Sequence, residues 1–281
     1  MMLLLDRRAL ATWMVGLGAL AAGLAVGPSR RAEARTTDPA QVVPLDQIAP
    51  ERREAVAEVI RDHTLHRQGA PETFPCNSRV YLALLNEPAL TLALWQDLSS
   101  SPVRLRQVGP NQYEGADGNG ATASWEFVHR SPKLHVLFCN LDYASPKGAA
   151  RLEARIVLIV RSGFYREVNG EAWVQHEVDA FVKVDSKGWK ALARTIRPII
   201  ERLLEEQVKE AGWFVSLMGR LVAMYPNWAC QVVMKQNDIN PDTRAKFRDV
   251  VIQNRRPGAF TGRPALVENS TNDAAEATRK R

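Results

Sequence analysis

Two hydrophobic rhythms alternate along this chain, and the clearest change between them comes at residue 185. In "HEVDAFVKV", 176–184, apolar residues alternate with polar ones, the period of a half-buried strand. In "SKGWKALARTI", 186–196, they return every three or four positions, as on a helix with one buried side. A strand therefore runs straight into a helix, and Asp185 or Ser186 can accept hydrogen bonds from its first-turn amides. The apolar stripe continues through Trp189, Leu192, Ala193, Ile196, Ile199, Ile200, Leu203, Leu204 and Val208. Unbroken to Tyr225, such a helix would reach about 60 Å, more than a compact domain of this size needs. Pro198 is expected to kink it and Gly212 or Gly219 to end it, which leaves two helical segments.

The same reading orders the rest. "PERREAVAEVIRDH" from Pro50 starts as helices start and puts Val56, Val59 and Ile60 on one face. "TLHRQGAPETF" reads as a short edge strand broken at Gly69 to Pro71, and "CNSRVYLALLNEPALTLALWQDL" as two helices parted at Pro88. Tyr81, Leu84, Leu85, Leu92 and Trp95 would face inward. From Pro102 the pattern becomes β: "PVRLRQV", "NQYEGA", the turn "ADGNGA", then "TASWEFVH" and "LHVLFCNLDY" around Pro132. Centring that hairpin on Pro132 sets His129 opposite His135, Phe127 opposite Leu137 and Trp125 opposite Cys139. The next pair is "RLEARIVLIVRS" and "AWVQHEVDAFVKV". A two-residue Asn169-Gly170 turn would place Val160 against Asp179, whereas a three-residue loop with Gly170 left-handed pairs Val160 with Val178, Leu158 with Ala180 and Ile156 with Val182. The second register keeps one face apolar and pairs Arg161 with Glu177 on the other.

The ends carry an address. Arg7-Arg8, an apolar run from Ala9 to Val26, and Ala32-Glu33-Ala34 form an export signal over 1–34, read as twin-arginine type, with the general secretory route and an uncleaved membrane anchor as alternatives. Residues 35–49 read as a tether, 50–254 as one domain with a C-terminal helical extension, and 255–281 as a disordered tail. Removing 1–34 takes four arginines and two acids, so the net charge of +6 falls to +4. That excess is spread rather than gathered into a basic face, which argues against nucleic acid as a partner. Cys76, Cys139 and Cys230 are too few and too far apart for a disulfide framework or a zinc site. One pair with an odd thiol, or three buried thiols, both remain open.

"HEVDAFVKVDSKGWKALARTIRPIIERLLEEQ" resembles the last strand and closing helix of the START-like (SRPBCC, helix-grip) superfamily, and a helix pair ahead of a β-meander fits that family's order. The resemblance covers roughly 64–208. It implies an α+β fold, a curved antiparallel sheet wrapped around the long C-terminal helix, with a ligand cavity between them. The interrupted first strand and the extra apolar segment after Gly212 depart from the family's usual form.

The resemblance and the apolar inner faces together imply a hydrophobic small molecule or lipid as partner. The candidate binding residues are Trp125, Phe127, Leu137, Ile156, Leu158, His176, Val178, Trp189, Ile196 and Ile200. His176 is either a hydrogen-bonding group for a ligand's polar head or a core-edge histidine satisfied by a backbone carbonyl. A His129–His135–His176 metal set is disfavoured, since no carboxylate shares that face at matching alternation. His63 and His66 fit local stabilisation of a helix end. Glu114, Glu126, Glu153, Glu177 and Asp179 fit a solvated face, with Arg155, Arg161 and Lys183 near them. There is no nucleophile elbow or phosphate-binding loop, so no catalytic residue, metal or cofactor is assigned. "GWFVSLMGRLVAMYPNW", 212–228, reads as buried, with a membrane surface or a partner as the other use of such a stretch. Alternative readings are an enzyme using His176 and a scaffold with a filled cavity.

Overall fold

Register fixes what meets what. A computed structural model describes residues 4–5, 38–99, 101–118, 120–144, 151–185, 214–256, 258–264 and 267–268. Its main body is α+β: a curved antiparallel sheet of eight strands with helices on both faces. The strands are β1 (Leu65–Gln68), β2 (Glu72–Pro75), β3 (Arg104–Gly109), β4 (Gln112–Ala116), β5 (Ala121–Arg130), β6 (Leu134–Ala144), β7 (Arg151–Arg166) and β8 (Ala172–Val184). From β3 to β8 each strand pairs with the next, and β1 and β2 both pair with β8, one after the other along its length. The edge strand broken at Gly69 to Pro71 is thus two short pieces on one partner. Leu4–Leu5 and Val267–Glu268 form a separate parallel pair.

The β7–β8 hairpin has the apolar register. Val160 faces Val178, Leu158 faces Ala180, Ile156 faces Val182 and Arg161 faces Glu177. Gly170 has φ +81°, the left-handed value that the tight connection requires and that side chains resist. Five further pairs extend this ladder, from Ser162 against His176 to Arg166 against Ala172, and Ala154 faces Val184 at the other end.

The β5–β6 hairpin departs from simple alternation. Trp125 faces Cys139 and Phe127 faces Leu137, but then a β-bulge intervenes: His129 faces Val136, and Arg130, not His129, faces His135. Val128 is the extra residue. Residues directly opposite share a face, so the bulge sends His129 outward with Val136 and brings Arg130 inward with His135.

Alternation along β7 and β8 suggests a solvated outer face, and the structure corrects this. The outer centre is buried too. Helix α1 (Pro50–Arg61) lays Val56, Val59 and Ile60 on Val136, Phe138, Val157, Ile159 and Phe181, with Val43 and Ile48 of the preceding segment beside them. Full burial of each such side chain contributes about 1.5–3 kcal/mol. Around this apolar contact sit charges. Glu58 of α1 binds Arg155 Nη1 at 2.6 Å and Lys183 Nζ at 2.5 Å, and Arg155 also binds both oxygens of Asp185 at 2.8 and 2.9 Å. Asp179 is not solvated either: it is 6% exposed, with His66 Nε2 at 2.6 Å and Arg161 at 3.4 Å. His66 therefore belongs to the sheet, stacked on Phe181, while His63 Nδ1 meets the Ile60 carbonyl at the end of α1.

On the inner side, α2 (Ser78–Asn86) and α3 (Pro88–Leu98) part at Pro88, each seated by an apolar face. Tyr81, Leu84, Leu92 and Trp95 are buried, and Leu85 is half-buried. The helix over 214–224 (α4) and helices α5 (Pro226–Met234) and α6 (Pro241–Gln253) join them in one cluster, including Phe214, Leu217, Met218, Val222, Trp228, Phe247 and Val251. Described residues of 212–228 are therefore largely core. Gly219 lets α4 approach β2: a Cβ there would lie 3.0 Å from Phe74 and 3.3 Å from Cys76 Sγ. The expected closing helix over 186–213 lies outside the described residues, and with it Trp189, Ile196 and Ile200. Cys76, Cys139 and Cys230 are free thiols.

The Glu58 carboxyl is held down at about 2, from an ordinary 4.5, by its hydrogen bonds to Arg155 and then Lys183. A depressed acid contributes stability that is complete above its unfolded value and is lost as pH falls through its folded one. Melting temperatures measured from pH 7 to pH 2 should therefore decline below about 4.5. In Glu58→Gln the melting temperature should be lower at pH 7 and the acid decline shallower; an unchanged pH profile would remove Glu58 from this role.

Candidate ligand-binding face

Because opposite residues share a face, the inner surface of the sheet can be read as rows across the strands. The first is Leu105–Gly115–Ala123–Leu141–Ala154–Val184, and the second Tyr113–Trp125–Cys139–Ile156–Val182–Leu65. Phe127–Leu137–Leu158–Ala180 forms the third, ending at Arg67 on β1. Then the character changes. Arg130–His135–Val160–Val178 is the fourth row and Ser162–His176–Glu72 the fifth. Three almost wholly apolar rows thus give way to two that carry polar groups.

Seven of the ten candidate residues are described, and the structure brings most of them together. Trp125, Phe127, Leu137 and Leu158 pack with Tyr113, and Leu158 also joins Ile156 and Val178 in the neighbouring cluster. His176 stands apart in the fifth row, 1% exposed, against Phe74 and Tyr81 at ring-centroid distances of 5.2 and 5.8 Å. Its Nδ1 lies 3.3 Å from the Tyr81 hydroxyl, which is 2.8 Å from Ser162 Oγ. Its Nε2 is 4.0 Å from a Glu72 oxygen. Through Nδ1, this histidine joins a side-chain network that ties α2 to β7 and β8. Burial pushes the Tyr81 phenol upward, so it stays protonated as a hydrogen-bond partner.

The fourth row holds the groups that alternation alone does not find. His135 is 1% exposed, with Nε2 2.9 Å from Asn86 Oδ1 at the end of α2. Burial, then the charges of Arg130 and His129, lower its pKa from 6.5 to about 4. Arg130 folds back over the third row, its Cζ 3.7 Å from the Phe127 ring centre. Burial raises the Tyr113 phenol and the Glu87 carboxyl, and in each case the nearby Arg130 charge opposes the rise. Since His129 and His135 do not face one another, the hairpin offers no histidine pair for a metal. No group of three or more metal-ligating side chains occurs among the described residues.

An open groove of about 720 Å³ crosses β3 to β7 near Asp185, and Leu105, Gly115, Ala123, Leu141 and Ala154 of the first row lie along it. Arg104, Arg106, Glu114, Ser124, Asn140, Asp142, Glu153 and Arg155 line it, and none of the described candidate residues does. Its charges largely satisfy one another, as in Arg106–Glu114 at 2.7 Å and Arg155–Asp185 at 2.8 Å. Self-paired charges at an open surface contribute little to holding a ligand.

No protein-family model matches the chain, and no curated protein matches it. Solved structures do align with it. A conserved protein from Geobacillus kaustophilus is 13% identical, the alignment covering 56% of this chain and 96% of that one, with TM-score 0.37. Ara h 8.0201 is 12% identical over 54% of this chain and 98% of its own, with TM-score 0.29. The Zhui aromatase/cyclase from a Streptomyces species is 12% identical over 56% and 95%, with TM-score 0.28. At these scores the likeness assigns neither a family nor an activity.

His135 gives a direct check of this face. Its folded pKa lies below its unfolded value, so the unfolded chain takes up the proton first as pH falls. The associated stability is complete above about 6.5 and is lost towards about 4. In a nuclear magnetic resonance titration the His135 ring should remain neutral until about pH 4. In Arg130→Gln its midpoint should rise, because one of the positive charges opposing protonation is gone. A midpoint near 6.5 in the wild type would mean an exposed ring.

Proposed function

We propose that this chain is a START-like protein that binds a hydrophobic small molecule or lipid against the inner face of its sheet, with the helix expected beyond Asp185 closing the cavity. The observation that supports this most is the run of three apolar rows, from Leu105–Val184 to Phe127–Ala180, bordered on one side by a band of polar groups. Small-molecule sites have that composition: mostly apolar lining with a few polar groups that orient the ligand. Aromatic side chains, Tyr113, Trp125 and Phe127, cluster at one end of these rows, where they present large apolar area.

We place the protein outside the cytoplasm, delivered by a twin-arginine-type signal over 1–34. Among the described residues no helix is long and apolar enough to cross a membrane. His176 does not favour an enzyme: it is buried within a network that joins α2 to the sheet.

Organic extraction of protein purified from its native compartment, followed by mass spectrometry, tests the reading. A stoichiometric apolar compound is expected in the extract. Leu158→Trp, which adds bulk to the third row, should reduce the amount recovered by severalfold while the protein stays folded by circular dichroism. An extract empty of any such compound would leave the chain as a scaffold.

A further inference from the structure

Arginine is the costliest side chain to bury with its hydrogen bonds unmade, because it remains charged at every ordinary pH. Arg130 is partly in that position: it is half-buried, and its guanidinium lies within hydrogen-bonding reach of the Tyr113 phenol. Its Nε and Nη2 are both buried and have no hydrogen-bond partner among the described residues, although the guanidinium stacks on Phe127 at 3.7 Å. Stacking on a ring offsets part of the desolvation of the charge but supplies no acceptor for these N–H groups. The two nitrogens left over are also not an arbitrary pair. Nε–H and one Nη2–H point in the same direction along one edge of the guanidinium, and that edge matches the two oxygens of a carboxylate.

The surroundings are of one kind. Behind the guanidinium lie Phe127, Leu137 and Leu158 of the third row, and beside it the Tyr113 phenol. The Trp125 indole N–H, one row further on, is likewise buried with no partner among the described residues. Glu87 is near enough to feel the Arg130 charge, yet no ion pair joins them within 4.0 Å among the described residues. A half-buried cation, an unpaired Nε–Nη2 edge and an adjoining apolar surface together fit a molecule with an anionic head and an apolar body.

We propose that Arg130 is the head-group anchor of the inner face, and that the ligand class is an amphipathic carboxylate whose apolar part lies along the Phe127 and Trp125 rows. This rests on the hydrophobic-ligand reading above and goes beyond it by naming the polar end. The bulge between Phe127 and His129 is the device that turns the guanidinium inward, since regular alternation would have placed His129 there.

Dodecanoate and dodecanol share a chain and differ in the head, so they separate the two ideas. Each is titrated at pH 8 into the full chain carrying the neutral dye Nile red, and displacement gives its affinity. Wild type should bind dodecanoate roughly tenfold or more tightly than dodecanol, the scale of a charge-assisted hydrogen-bonded pair. Arg130→Gln should abolish that preference with dodecanol binding unchanged. Arg130→Lys, which keeps the charge but not the fork, should retain only part of it, and Nile red binding shows that each variant keeps its cavity. Equal affinities in the wild type, or a preference that survives Arg130→Gln, would overturn the anchor and leave the hydrophobic-ligand reading standing. Failure of both compounds and the dye to bind wild type would overturn both.

Discussion

A β-ladder allows each side chain only one of two faces, and in this protein both faces are spoken for. The outer one carries α1 on Phe181, Ile159 and Val157; the inner one carries the helices and the apolar rows. A slip of one residue in β7 against β8 would set Val160 opposite Asp179 and Arg161 opposite Val178, so that each face mixed charged with apolar side chains. The register of that hairpin is therefore the constraint on which the rest depends. Gly170, left-handed at the connection, sets it locally, and burial on both sides enforces it globally.

Against this regular background the bulge in β5 has a defined consequence. One extra residue, Val128, leaves the ladder on either side intact and changes which side chain points inward near the hairpin end. Arg130 then joins a row with His135, next to a phenol and a carboxyl. Burial and the Arg130 charge act on His135 in the same direction, keeping the imidazole neutral, so the guanidinium is the fixed charge of the fourth row. The fifth row, built from Ser162, His176 and Glu72, is linked to α2 through Tyr81 and serves to seat that helix. Polar groups on the inner face thus include a set engaged with the fold and others, the Arg130 Nε–Nη2 edge and the Trp125 indole N–H among them, with no hydrogen-bond partner among the described residues.

Much of the architecture was legible in the amino-acid order. Alternation located β3 to β8, proline and glycine marked the breaks at 69–71 and 88, and the requirement that Val160 meet Val178 chose the register of the last hairpin. Phe127 and Trp125 were placed correctly against Leu137 and Cys139, but two residues later the count failed. A bulge has no local sequence signature here, since "EFVHRSPKLHV" alternates acceptably with or without it. Long-range partnerships were equally invisible: His66 finds Asp179 across 113 residues, and Tyr81 reaches His176 across 95. Outer-face charge in β7 and β8 looked solvated because the helix that covers its centre lies far upstream, at Pro50–Arg61.

The placement of Arg130 is most directly tested by nuclear Overhauser contacts in isotopically labelled full-length protein without added ligand. Cross-peaks should join the Arg130 side chain to the Phe127 ring, with none between the His129 and Phe127 rings. Contacts from His129 to Phe127, with Arg130 in solvent, would show an unbulged strand and contradict the account.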